Sequence, residues 1–180
     1  MPGLLQNHIA VITGAGSGIG RAIALGYARE GATVATLDIN GEPAAETAKA
    51  IRDAGSKAQA FTLDVSDRAA CRTVAAEVAK QLGKVSILVN NAGITRRNPF
   101  TADADTVAAD WEAVIATNLD GVFNVTQAFT APLRASKGRI INIGSIQSLM
   151  HGKWHCAALR HRSWPRRIPV GWHPEDYPQA

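Results

Sequence analysis

Three short stretches stand out, and in two of them the residue types and spacing point to one chemistry. The first is Thr13-Gly14-Ala15-Gly16-Ser17-Gly18-Ile19-Gly20, which follows an apolar run and opens a helical pattern. Glycines there allow a tight turn and close backbone approach, and the helix start presents free N–H groups and partial positive charge to a pyrophosphate. The second is Asp38, 18 residues after Gly20 at the end of another apolar run. A carboxylate at that point accepts hydrogen bonds from ribose hydroxyls and repels a 2′-phosphate. The third is Asn90-Asn91-Ala92-Gly93, again just past an apolar run. The first two predict a dinucleotide site at the ends of parallel strands.

The elements that must position these residues are legible from two alternating periodicities. Strands are predicted over 8–13, 33–38, 58–63, 85–90 and 139–144, each a short, mostly apolar run. Helices are predicted over 18–30, 43–54 and 67–82, with Gly31, Gly55 and Gly83 as stops, and over a long segment, 107–135. In the first helix Ile19, Ile23 and Tyr27 fall on one face; in the long one Trp111, Val114, Ile115, Leu119, Val122, Val125 and Phe129 recur at helical spacing. A polar loop is predicted from Ile94 to about Asp105. Strand–helix alternation calls for an α/β fold, a Rossmann-like doubly wound parallel sheet of about five strands in the order 3-2-1-4-5.

Bulk properties narrow the class. The 180 residues suit one domain. The formal net charge is +4, but residues 151–180 contribute five cations and two carboxylates, which leaves +1 for the first 150. The basic pI of 9.4 therefore belongs to the tail, and no nucleic-acid partner is expected of the domain. Cys71 and Cys156 stand in no metal spacing and read as free thiols of a reducing compartment. No apolar run approaches a membrane span, and the first strand begins too early to leave room for a signal peptide, so no membrane association and a cytoplasmic protein are expected.

The composition changes at His151. Residues 151–180 hold three of the four Trp, four of the five His and four of the eight Pro. Pro165, Pro169, Pro174 and Pro178 forbid a long helix or a central strand. We expect a domain over 1–150 and an irregular, disordered tail over 151–180. A frameshift is the favoured origin of that tail, ahead of a misjoined exon or a divergent C-terminus. Its histidines lack a supporting acidic or Cys framework, so no metal site is expected.

The Thr-Gly-x-x-x-Gly-x-Gly spacing of Gly14, Gly18 and Gly20, with Asn90-Asn91-Ala92-Gly93, resembles the short-chain dehydrogenase/reductase family from the start of the chain to about residue 150. The resemblance implies hydride transfer between a nicotinamide cofactor and a secondary alcohol or ketone, with the protein supplying orientation and a proton. It implies cofactor contacts from Gly14, Ser17, Gly18, Ile19, Gly20, Asp38, Asp64, Val65, Asn91, Ala92 and Gly93. Asp64 and Val65 would meet the adenine; Asn91, Ala92 and Gly93 would lie beside the nicotinamide-side ribose. Ser17, with Ile39 after the acidic position, favours NAD over NADP, because NADP-preferring relatives often place Arg or Lys at those points.

The resemblance also assigns Asn118 to the Asn of the proton relay and Ser145 to the Ser that hydrogen-bonds the reacting oxygen. It then expects Tyr about 13 residues after the Ser and Lys four further on, the cation being needed because a free Tyr has a pKa near 10. Positions 157–159 are Ala, Ala and Leu, and Arg162 is the nearest basic residue in the Lys register. Arginine is bulkier and forked where a compact ammonium is wanted. The site read from the sequence thus has a cofactor half and only Asn118 and Ser145 of the catalytic half. A small alcohol or ketone, such as a sugar acid, polyol or 3-oxoacyl compound, is the implied substrate class. Homo-oligomers are usual in the family, but assembly is not expected of a chain without the helix that partners the long one.

Overall fold

The structure, a computed structural model, describes residues 3–145. The tail, 151–180, with Cys156, Arg162 and the expected break at His151, lies outside the described residues. The elements run β1 (Ile9–Thr13), α1 (Gly18–Arg29), β2 (Thr33–Asp38), α2 (Gly41–Asp53), β3 (Ala58–Thr62), α3 (Arg68–Leu82), β4 (Ile87–Asn90), α4 (Ala104–Ile115), a π-helical turn (Ala116–Asp120), α5 (Gly121–Ser136) and β5 (Arg139–Asn142). All four strand pairings are parallel and the order is β3-β2-β1-β4-β5, as the alternation predicts.

Strand side chains alternate between two cores. Ala10 and Ile12 of β1 and Val34 of β2 face α1 and α2, meeting Ala24, Ala28, Ala48 and Ile51. Val11, Leu37 and Leu88 face the other way, against Val78 of α3 and Val125, Phe129 and Leu133 of α5. Phe129 is fully buried, and truncating such a side chain costs about 3–5 kcal/mol. The three central strands are buried on both faces, whereas β5 at the edge is mostly exposed.

One expectation is sharpened and one corrected. The fully buried face of α1 is Gly20, Ala24 and Ala28; Ile23 and Tyr27 pack half-buried against the same core, while Ile19 is exposed. The helix start sits so close to the β1 turn that only small residues fit between them. A Cβ on Gly20 would collide with the Gly14 carbonyl oxygen and lie 2.5 Å from Asn91 Nδ2. The long helix begins earlier than expected, at Ala104, where the Asp103 carboxylate caps the Thr106 N–H at 2.9 Å. It is also not one α-helix. The π-turn interrupts it at Ala116–Asp120, and such single-turn bulges recur at functional sites. It buries Val114, Asn118, Val125 and Phe129 but leaves Trp111 and Leu119 exposed. Smaller differences fall at element ends: α2 starts two residues before Pro43, and β5 stops at Asn142.

Candidate functional site

The loops at the C-terminal ends of β1, β2, β3 and β4 converge on one cleft of about 370 Å³. Ten of the eleven predicted cofactor residues line it: Gly14, Ser17, Gly18, Ile19, Asp38, Asp64, Val65, Asn91, Ala92 and Gly93. Gly20 lies behind the turn, as the packing partner of Gly14 and Asn91.

The turn after β1 is held by the turn after β4. The Thr13 hydroxyl accepts the N–H groups of Asn91 and Ala92, both at 3.0 Å. The Asn91 amide donates to the carbonyls of Thr13 and Gly14 at 3.0 and 3.2 Å. Gly14 has φ +64°, and a Cβ there would stand 2.9 Å from Ala92 Cα. Gly18 also needs its positive φ of +51°, yet its Cβ position faces open space. Glycine at 14 is required by close approach; glycine at 18 serves the turn and leaves the cleft open. Ser17 stands at the N-cap without a side-chain capping bond. The first-turn N–H groups of Gly18, Ile19 and Gly20 find no acceptor among the described residues. Unpaired donors at a helix start, a glycine cradle and an open approach together fit a pyrophosphate.

Asp38 is fixed in orientation. One carboxylate oxygen accepts the Gly16 N–H at 2.9 Å and the other the Asn40 N–H at 3.1 Å. A Cβ on Gly16 would stand 2.9 Å from that carboxylate, so the glycine turn and the acidic strand end are built as one unit. Asp64 is exposed and turns back on its own loop, accepting from the Ser66 N–H and hydroxyl at 2.9 and 2.7 Å. Val65 beside it is buried, and its carbonyl accepts from Asn124 of α5 at 3.2 Å.

Asn118 sits in the π-turn and is buried. Its amide is spent on one residue. Oδ1 accepts the Ile94 N–H at 2.8 Å, and Nδ2 donates to the Ile94 carbonyl at 2.9 Å. Asn118 does not line the cleft; it fixes the residue after Gly93, which does. The far part of that loop is tied to α4, where Asp110 takes Asn98 at 2.8 Å and pairs with Arg96 at 3.5 Å. Ser145 follows β5 and is half-buried, outside the cleft lining. The strand end carrying it is tied to β4 by the Asn90 amide, which donates to Asn142 at 2.8 Å and to Thr126 of α5 at 3.0 Å.

The cleft also takes Ile39, Leu63, Ile94 and Thr117 as walls. Sequence reading assigned none of them a contact. Ile39 carries a signal in hindsight: a large apolar residue just past a strand-end carboxylate, 61% exposed, is what a wall for a flat ring looks like.

Comparison with known proteins agrees with this geometry. Residues 8–157 match the model of the short chain dehydrogenase family. The chain belongs to that family. It is similar to a 3-oxoacyl-[acyl-carrier-protein] reductase of Thermotoga maritima, 40% identical over 143 residues, which is 79% of this chain and 57% of the relative. It is 38% identical over 142 residues to a D-threitol dehydrogenase of Mycolicibacterium smegmatis, covering 78% of this chain and 54% of that one. Among solved structures it resembles a gluconate 5-dehydrogenase of Burkholderia cenocepacia in complex with NADP and tartrate. The TM-score is 0.78 at 41% identity, over 88% of this chain and 61% of that one. The chain thus spans a little over half the length of these curated relatives.

Elsewhere the chemistry is sparse. Cys71 is a free, buried thiol whose pKa is pushed up to about 11 by burial, with help from the carboxylates of Asp67 and Asp64. No metal-ligand cluster occurs among the described residues. No helix among them is long and apolar enough to cross a membrane.

Proposed function

We propose that this chain binds NAD in the cleft, in preference to NADP, and does not turn over the secondary alcohols or ketones of its family. The observation that carries the binding half is the joined unit of Gly16 and Asp38, which sets a carboxylate where an adenosine ribose would present its hydroxyls. A 2′-phosphate at that point meets a fixed negative charge. The NADP in the Burkholderia structure belongs to that protein; Asp38 is what supports the opposite preference here. In this reading Gly14 to Gly20 take the pyrophosphate, Asp64 and Val65 the adenine, and Asn91 to Gly93 the nicotinamide-side ribose. The bound nicotinamide supplies hydride chemistry. Ser145 is the residue the family resemblance assigns to the substrate oxygen, and Asn118 positions the loop at Ile94.

The inactive half rests on the sequence. Its two tyrosines are Tyr27, followed four residues on by Gly31, and Tyr177, which lies 32 residues beyond Ser145. Neither provides the proton carrier and its cation at the family's spacing. Sugar acids, polyols and 3-oxoacyl compounds remain the substrate class by descent. The same reading includes cytoplasmic residence, no membrane or nucleic-acid partner and a domain ending near residue 150. A second reading, a product without function, predicts neither binding nor cooperative folding.

The test is hydride transfer from NADH, followed by absorbance, with a panel of ketones at saturating cofactor. Saturable binding with no oxidation of NADH above the buffer rate is expected. Turnover comparable to a full-length relative would overturn the inactive half and leave the binding half standing.

A further inference from the structure

The charge of the domain is segregated. Residues 1–150 hold 14 Lys and Arg against 13 Asp and Glu. Five of those cations, Lys80, Lys84, Arg134, Lys137 and Arg139, fall in segments 78–90 and 121–145, which contain no Asp or Glu. The remainder of the domain sets nine cations against thirteen carboxylates. The fold gathers the five at one end. Lys80 and Arg134 lie in the last turns of α3 and α5, Lys84 and Lys137 in the turns that feed β4 and β5, and Arg139 opens β5. These are the N-terminal ends of the strands, on the side opposite the cleft.

The turns are in contact. The Arg139 N–H donates to the Ser86 carbonyl at 2.9 Å, and a Cβ on Gly138 would stand 2.6 Å from that oxygen. His8, before β1, meets the Ser86 hydroxyl at 2.9 Å. All five cations are exposed, and none forms an ion pair among the described residues. The helix dipole accounts for Lys80 and Arg134, because cations in a last turn offset the partial negative charge there. Arg139 Nη1 caps the same end of α5 through the carbonyls of Lys137 and Gly138, at 2.7 and 3.3 Å. The dipole does not account for Lys84 or Lys137, or for the absence of Asp and Glu from segments 78–90 and 121–145.

We infer that this end of the sheet is a docking surface for an acidic protein segment, one that presents several carboxylates to Lys84, Lys137 and Arg139. Exposed cations on two neighbouring connections, α3–β4 and α5–β5, attract such a partner and set its orientation. A nucleic acid fits less well. No Phe, Tyr or Trp lies in 78–90 or 134–145 to stack a base. The C-terminal ends of α3 and α5 also point partial negative charge at the same surface, which spaced carboxylates can avoid and a continuous phosphate chain cannot. The surface is separate from the cofactor cleft, so this inference does not depend on cofactor binding.

The test titrates the full chain with fluorescent poly-L-glutamate and, separately, with a single-stranded oligonucleotide of equal charge. Poly-L-glutamate is expected to bind, more weakly as salt rises. The triple variant Lys84→Gln, Lys137→Gln, Arg139→Gln should bind at least about tenfold more weakly at low ionic strength. A control removing three cations elsewhere, Lys49→Gln, Arg72→Gln, Arg97→Gln, should stay within about twofold of the parent. Equal losses in the two variants would mean net charge alone and overturn the proposal. So would unchanged binding in the first variant, or tighter binding of the oligonucleotide than of poly-L-glutamate. Unchanged thermal melting of both variants shows that the fold is intact.

Discussion

The junction of β1 with β4 and the edge at β5 are built on opposite plans. At the junction, Thr13, Gly14, Gly20, Asn91 and Ala92 fix one another through four hydrogen bonds and two glycine contacts with no room for a methyl group. At the edge, β5 pairs with β4 alone among the described residues, and Ile140 is 46% exposed. The cofactor side is over-determined by contacts inside the described domain; the strand leading to Ser145 is held by its ladder to β4, the Asn90–Asn142 bond and the half-buried packing of Ile141 and Ile143. A site can therefore be rigid where a ligand binds and sparsely supported where chemistry would follow.

Four substitutions grade that contrast. The largest effect is expected from Gly20→Ala, whose methyl must displace the Gly14 carbonyl or Asn91. A loss of about 3 kcal/mol in urea unfolding, with cofactor binding abolished, is the predicted result. A loss under about 0.5 kcal/mol would show that the junction relaxes freely. Next is Asn118→Ala, which strips both main-chain groups of Ile94 of their partner. It should cost about 2–3 kcal/mol and loosen the wall of the cleft at Ile94, seen as faster amide exchange there. Thr13→Val removes the acceptor for two N–H groups and should cost about 1–2 kcal/mol. At the edge, Ile140→Thr should fall within about 0.5 kcal/mol of the parent. A large loss there would mean that β5 is covered after all.

The buried thiol gives a pH prediction. Burial raises the folded-state pKa of Cys71 from its ordinary value of 9.0 to about 11. Its contribution to stability is complete below pH 9 and is lost as the pH climbs towards 11, because the unfolded thiol ionises first. Cys71→Ala should flatten the fall in stability over that range in urea titrations. An unchanged slope would show that Cys71 does not resist ionisation.

How much of this the sequence discloses depends on the length scale of each feature. Strand order and the glycine turn are legible because they follow from apolar runs and from residue types that few other conformations demand. The fully buried face of α1 is not, because sequence patterning weights Ile19, Ile23 and Tyr27 by size, while the close helix–strand approach selects Gly20, Ala24 and Ala28. The π-turn is invisible for a similar reason. One extra residue in a turn barely disturbs a helical period, yet it sets Asn118 against Ile94. Thr117 and Leu63 become walls of the cleft only through tertiary packing and carry no local signal.

The central claim is that the Gly14–Gly93 half forms a working cofactor site by itself. A fluorescence titration of the full chain with NADH and with NADPH tests it most directly. Saturable binding of NADH, with NADPH at least about tenfold weaker and that gap narrowed by Asp38→Asn, is the predicted result. Equal or tighter binding of NADPH would contradict the role given to Asp38, and no binding of either would contradict the site.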